Sequence, residues 1–206
     1  MSADIISAWR FLREGINFMQ HITTTKEWIA KSFLELSETK SVDKITVKDI
    51  VENCGLTKST FYNHFNDKYD LLMWIYIEPV RNIISRINTV GYNFREAVAA
   101  NLRYIASNRT YLVNALKNTP GQNSFIRYAF EINFTLLRDF IKSYNKADIL
   151  PLRIETLIKL YVYGTVELEC DWLINNMPIP IEEFADILEG GMPEELKPYL
   201  YKKWKQ

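Results

Sequence analysis

Residues 46–72, TVKDIVENCGLTKSTFYNHFNDKYDLL, restrict what this chain can fold into more than any other stretch. Two short apolar patterns, at 47–54 and 58–65, are separated by Gly55-Leu56, which leaves room only for a sharp turn between two helices. Thr46 stands where it caps the first helix, and Asp49 three residues on can reach back as in a capping box while favouring the positive helix end. Val47, Ile50, Val51 and Cys54 form the inward face. Gly55 follows directly, where a left-handed residue is needed and glycine adopts it without steric penalty. Leu56 plugs the gap between the helices, Thr57 caps the second, and Phe61 with Phe65 gives that helix an apolar i, i+4 stripe. Asn66 and Asp67 cap a long third helix that reaches about Arg86.

The helical period continues almost everywhere else. A helix starting at Thr24 or Thr25, with Thr25 read as the N-cap, aligns Ile29, Phe33 and Leu36. Beyond a loop at 89–93, helices are expected near 94–107, 109–117, 122–144, 152–175, 181–189 and 194–203, punctuated by Pro151, Pro178 and Gly190-Gly191. No period-2 run stands out except the short Ile45–Val47. The predicted class is all-α: an N-terminal three-helix unit with a helix-turn-helix, then a larger helical body. The expected boundaries are an extension at 1–23, the compact unit at 24–72 and the body at 73–206.

In the extension, Ile5, Trp9, Leu12, Ile16 and Met19 share one helical face, which predicts an extra helix packed on the rest or on a partner. Arg10 and Arg13 are a thin basic face for a helix lying on a membrane. They and Glu14 also interrupt the apolar residues, and no small-residue cleavage site follows, so a signal peptide is not expected. No segment has the eighteen or so apolar residues that cross a bilayer. Cys54 and Cys170 are lone cysteines of the kind a reducing cytosol keeps as thiols, and a cytoplasmic location is expected. A phosphate-binding glycine loop, HExxH and CxxC are all missing, and His21 and His64 are the only histidines. No enzyme activity, metal or cofactor is therefore expected.

The outward face of the second short helix carries Lys58, Ser59, Thr60, Tyr62, Asn63 and His64. Hydroxyls and amides suit base edges in a major groove, while Tyr, Lys and backbone N–H suit phosphates. The same face would also serve as the solvated side of a surface hairpin. At this point the run strongly resembles the DNA-binding domain of the TetR family: Gly55-Leu56-Thr57-Lys58, then Thr60-Phe61-Tyr62-Asn63-His64-Phe65, then Lys68 and Leu71-Leu72, with Ile45 to Ile50 upstream. The resemblance implies DNA contacts from Thr57, Lys58, Ser59, Thr60, Tyr62 and His64, and a hold on the DNA backbone by Thr46 and Lys68. It implies packing roles for Leu56, Phe61 and Phe65. A ring packed on the next helix is the competing role for His64.

One departure concerns charge. The chain balances 25 basic against 25 acidic residues, and residues 24–70 hold seven lysines, no arginine and eight carboxylates. Few phosphates can then be neutralised per subunit, so useful affinity needs two subunits on a two-fold site.

For the body, the resemblance implies dimerisation and effector binding. The residues themselves place Leu157, Leu160, Gly164, Leu168 and Trp172 on one side of a long helix, the expected dimer face. Tyr161 and Gly164 ahead of Trp172-Leu173 are similar to a subgroup of regulators related to dihydroxyacetone-kinase operons. Tyr104, Tyr128, Phe134, Tyr161 and Tyr163 are candidates for an effector pocket, with simple core packing as the alternative. Glu167, Glu169 and Asp171 select a cation, pair with Arg103, Arg127 or Arg138, or face water. The expected partners are double-stranded operator DNA, a second copy of the chain and a small-molecule or protein effector, with no membrane. The expected function is a homodimeric repressor released by its effector; a helical adaptor whose helix-turn-helix does not read DNA is the alternative.

Overall fold

The computed structural model describes residues 24–119 and 124–201. The helix expected within 1–23 lies outside them, as do the first residues of the helix expected at 122–144 and the last of the one at 194–203. The described residues are helical without a strand, and the single bridge, Thr89 to Tyr92, closes a turn. The chain divides into two units, Met1–Leu72 and Met73–Gln206.

The first unit holds α1 (Thr25–Ser37), a 3-10 turn (Val42–Lys44), α2 (Val47–Asn53) and α3 (Lys58–Tyr62). Helix α4 (Lys68–Ser85) contains the boundary between the units. Thr24, not Thr25, caps α1, because its partner Glu27 stands three residues beyond the cap and completes a capping box. Ile29, Phe33, Ile45, Ile50, Phe61 and Leu71 are fully buried. Between α1 and α2 the buried Ser32 hydroxyl donates to the Ile50 carbonyl at 2.6 Å and accepts from Asn53 Nδ2 at 3.1 Å. That polar pin is satisfied on both sides and fixes one helix against the other.

The second unit holds α5 (Phe94–Ser107), α6 (Arg109–Asn118), α7 (Phe125–Asn145), α8 (Leu152–Ile174) and α9 (Ile181–Gly190). A 3-10 turn (Glu194–Leu196) then runs into α10 (Lys197–Leu200). The broadest packing joins α7 to α8 and α5 to α9. The latter pair is also tied by Arg95, whose guanidinium reaches Glu182 at 2.6 Å and Asp186 at 2.8 Å, while Arg103 joins Glu182.

Pro79 sits inside α4 and has no N–H, so the Ile75 carbonyl lacks its helical donor. The buried Tyr104 hydroxyl supplies one at 2.8 Å. Tyr104→Phe is expected to destabilise the chain by about 1–2 kcal/mol, since the carbonyl is left unsatisfied. In a Pro79→Ala background the N–H of residue 79 returns, and the same substitution should lose most of its effect. Urea unfolding of the four proteins measures the cycle; equal costs in both backgrounds would refute the pairing.

Candidate nucleic-acid interface

The turn between α2 and α3 is built from backbone geometry outward. Asp49 accepts from the Thr46 N–H and hydroxyl, both at 2.8 Å, and from Lys40 Nζ at 3.0 Å, donors that hold its carboxyl down at about 2. Gly55 adopts φ +69, and the Leu56 N–H turns back to the Val51 carbonyl at 2.8 Å. An alanine there would meet no neighbour, so the requirement for glycine is conformational. Thr57 then caps α3, accepting from the Thr60 N–H at 3.1 Å, with the two hydroxyls 2.9 Å apart. Phe61 points fully inward, its ring 5.8 Å from Phe65 and edge-on to Tyr62 at 5.5 Å.

With Phe61 anchored, the rest of α3 must face outward. Thr57, Lys58, Ser59, Tyr62 and Asn63 are exposed, Tyr62 by 56%, while Thr60 and His64 are half-buried. Among the described residues Lys58 Nζ and the Tyr62 hydroxyl make no hydrogen bond. The face is one cation, two exposed hydroxyl side chains, an amide and a phenol on a rigid base. After it, Asp67 Oδ1 accepts from the N–H groups of Tyr69 and Asp70, and Asp70 reaches back to the Asn66 N–H at 2.9 Å.

Lys68, where the resemblance implies a hold on the DNA backbone, is bonded within its own unit. Its ammonium donates to the carbonyls of Val42, Asp43 and Ile45 at 2.9, 2.6 and 2.8 Å. An ammonium has three hydrogens, and these three bonds use all of them. Burial lowers its pKa, and the charges of Asp43, Asp49 and Asp67 oppose that shift. Lys68 braces the 3-10 turn against the start of α4.

The second unit has a half-open cavity of about 70 Å³, walled by α4, α5, α7 and α8. Of the aromatic candidates, Tyr161 lines it; Tyr104, Tyr128, Phe134 and Tyr163 do not. Tyr104 is occupied at Ile75, and Tyr128 is exposed. Phe130 and Tyr163 meet as tilted rings 4.7 Å apart on the flank between α7 and α8, where Lys159 lies over Phe134 and Tyr163. The inward stripe of α7 is Ala129, Asn133, Leu137 and Ile141, one residue off the aromatic one, since small and aliphatic side chains fill the helix junction and rings cover its rim.

Polar groups that sequence reasoning did not single out as a set, Asn101, Asn133 and Glu169, line the same cavity. Glu169 could have been found from the register: Ile158, Val162, Val166 and Glu169 follow one another down the buried side of α8. Its neighbours Glu167 and Asp171 are exposed, and neither Arg103 nor Arg138 pairs with any of the three.

The expected dimer residues separate into two groups. Leu160 and Leu168 are 66% and 50% exposed, Gly164 has open space where a Cβ would stand, and Leu157 is half-buried on the same side. Trp172 is a correction: it is 4% exposed, stacked on Phe184, with Nε1 donating to the Ile179 carbonyl at 2.8 Å. It folds the end of α8 onto α9 and is core.

A capped helix, a left-handed glycine turn and a second capped helix with an outward polar face, followed by an all-helical body, define a helix-turn-helix transcription regulator. Residues 34–73 match the family model described as Bacterial regulatory proteins, tetR family, and residues 92–192 match a TetR-type model described as Transcriptional regulator C-terminal region. The chain belongs to the TetR family of transcriptional regulators.

It is 29% identical over 93 residues to the HTH-type dhaKLM operon transcriptional activator DhaS of Lactococcus lactis subsp. lactis (strain IL1403), covering 45% of this chain and 49% of that one. The chain thus spans about half the length of this curated relative. The solved dihydroxyacetone kinase operon activator DhaS superposes with a TM-score of 0.62 at 19% identity, covering 86% of this chain and 98% of that one. The fatty acid degradation regulator FadR from Bacillus halodurans gives 0.51 at 13% identity, over 90% and 100% of the two chains. Among the described residues no helix is long and apolar enough to cross a membrane, and no cluster of three His, Cys, Asp or Glu could hold a metal ion.

Proposed function

We propose that this regulator reads operator DNA as a homodimer, with Thr57, Lys58, Ser59, Thr60, Tyr62 and His64 entering the major groove and Thr46 beside the DNA backbone. The observation that carries this reading is the outward face of α3, whose Lys58 and Tyr62 are exposed and unbonded while Phe61 anchors the helix from behind. A negative balance in the same unit makes one copy a weak binder. Two copies, joined through Leu157, Leu160, Gly164 and Leu168 of α8, place two such helices about 34 Å apart, one DNA turn. An effector in the cavity presses on Val80, Ile83 and Ile84 of α4 and favours a different spacing, so that occupancy releases the DNA.

Release from a blocked promoter makes the chain a repressor. A second reading, in which the bound dimer promotes transcription, is favoured by the likeness to a protein named as an activator. Selection of duplexes from a random library at fixed salt tests the DNA assignment. The wild type should enrich a palindrome, and Lys58→Ala/Tyr62→Ala should bind it roughly tenfold to a hundredfold more weakly while remaining folded. Enrichment unchanged in the variant would sink the assignment, and a reporter driven from the selected site gives the sign of regulation.

A further inference from the structure

We propose that the cavity of the second unit binds a small primary ammonium on a hydrocarbon body, with Glu169 as its counter-ion and the Asn101 side chain as its orienting partner. Glu169 is 6% exposed, and among the described residues no cation pairs with it. Asn101 Nδ2 donates to its carboxylate at 2.9 Å, which leaves Asn101 Oδ1 buried without a partner. An unpaired buried carboxylate and an orphaned carbonyl side by side are both acceptors, and each is costly to leave unsatisfied.

The surrounding groups do not relieve them. Tyr161 gives its hydroxyl hydrogen to the Leu188 carbonyl at 2.9 Å, and Tyr76 Oη accepts from Asn133 at 2.7 Å. The groups that face Glu169, namely Tyr76, Tyr161 and Cys170, are all pushed up by burial, Cys170 to about 12, so they stay neutral near pH 7. None of them is a cation. Away from this polar end the walls are hydrocarbon: Val80, Ile83, Ile84, Val98 and Leu137.

An ammonium brings three donors and the missing charge, enough for the carboxylate and the Asn101 oxygen together. An alcohol brings one donor and leaves the charge uncompensated; a carboxylate ligand would be repelled. Burial raises Glu169 to about 7. Below that pH the ligand must displace a proton, and affinity falls by about tenfold per pH unit.

This deepens the effector step of the proposed function, but it is tested without DNA, so the two readings fail separately. Calorimetric titration of the full chain with n-hexylammonium chloride, 1-hexanol or hexanoate at pH 8 and pH 6 is the experiment. The wild type should bind hexylammonium about tenfold or more tightly than hexanol at pH 8, with the preference shrinking at pH 6 and lost in Glu169→Gln. Hexanol binding as tightly as hexylammonium in the wild type overturns the proposal, and so does no hexylammonium binding at millimolar concentration. An affinity unchanged in folded Glu169→Gln overturns the role of the carboxylate as counter-ion.

Discussion

Lys68→Met is expected to destabilise the first unit by about 2–3 kcal/mol and, through it, to weaken DNA binding. Methionine keeps the length and apolar stem of the side chain but removes the donor to the Asp43 and Ile45 carbonyls and one of the two to Val42, which also accepts from the Ile45 N–H. These carbonyls end the 3-10 turn that leads into the cap of α2, so the loss loosens the frame on which α3 stands. Hydrogen exchange of the full chain localises the effect: the amides of Phe33, Ile50 and Val51 should lose protection, while those of α8 keep theirs. Lys58→Met is the control, since Lys58 is exposed and holds nothing in place. If both substitutions left exchange of the first unit unchanged, the bracing role would be wrong. If Lys68→Met weakened DNA binding without altering exchange, Lys68 would be a direct contact, as the family resemblance first implied.

Glu169→Gln is expected to stabilise the protein, by an amount that grows with pH. The carboxyl is held up at about 7 by burial, against an ordinary value of 4.5. Between those two values the unfolded chain has released this proton while the folded chain retains it, so the wild type loses stability as pH rises. Below about pH 4.5 the group is neutral in both states, and above about 7 the loss is complete. At 1.36 kcal/mol per pH unit the full difference is about 3 kcal/mol. Urea unfolding of both proteins at pH 4.5, 6 and 8 should show curves that nearly meet at the acid end and separate by that amount at pH 8. A separation independent of pH would mean that Glu169 is not the titrating group. Shared contributions, such as that of the depressed Asp49, cancel in the comparison.

The local elements of the DNA-reading unit were legible because their determinants are local. Thr46 with Asp49, Gly55, Thr57 and the Phe61–Phe65 pair act within four residues of one another, and the structure forms each as the spacing implied. The helix at 94–107 was legible to the residue, bounded by Asn93 and Asn108. The cap of α1 was read one residue late, at Thr25: Glu27 stands three residues beyond Thr24, the reach a capping box needs.

The residues whose surroundings the sequence did not reveal depend on partners distant in sequence. Tyr104 was grouped with other aromatics, but its place is decided by Pro79, twenty-five positions earlier, which frees a carbonyl at Ile75. Trp172 has the right period for an exposed face and is drawn inward by Phe184 and the Ile179 carbonyl, which the turn after α8 brings back onto it. Lys68 matches the family pattern residue for residue, yet its donors face a turn more than twenty residues upstream. Periodicity assigns a side chain to a face of its helix and is silent on what covers that face.

From sequence alone came the all-α class, the position of the helix-turn-helix and the residues presented by α3, because hydrogen-bonded caps, a left-handed glycine and an i, i+4 stripe operate within one or two helical turns. Tertiary structure alone decided which stripe of α7 faces the cavity, that Lys68 closes on three carbonyls, and that of three neighbouring carboxylates only Glu169 is buried beside an unpaired amide oxygen. Those outcomes depend on which helices meet, and an unsatisfied polar group becomes costly only after the meeting has excluded water.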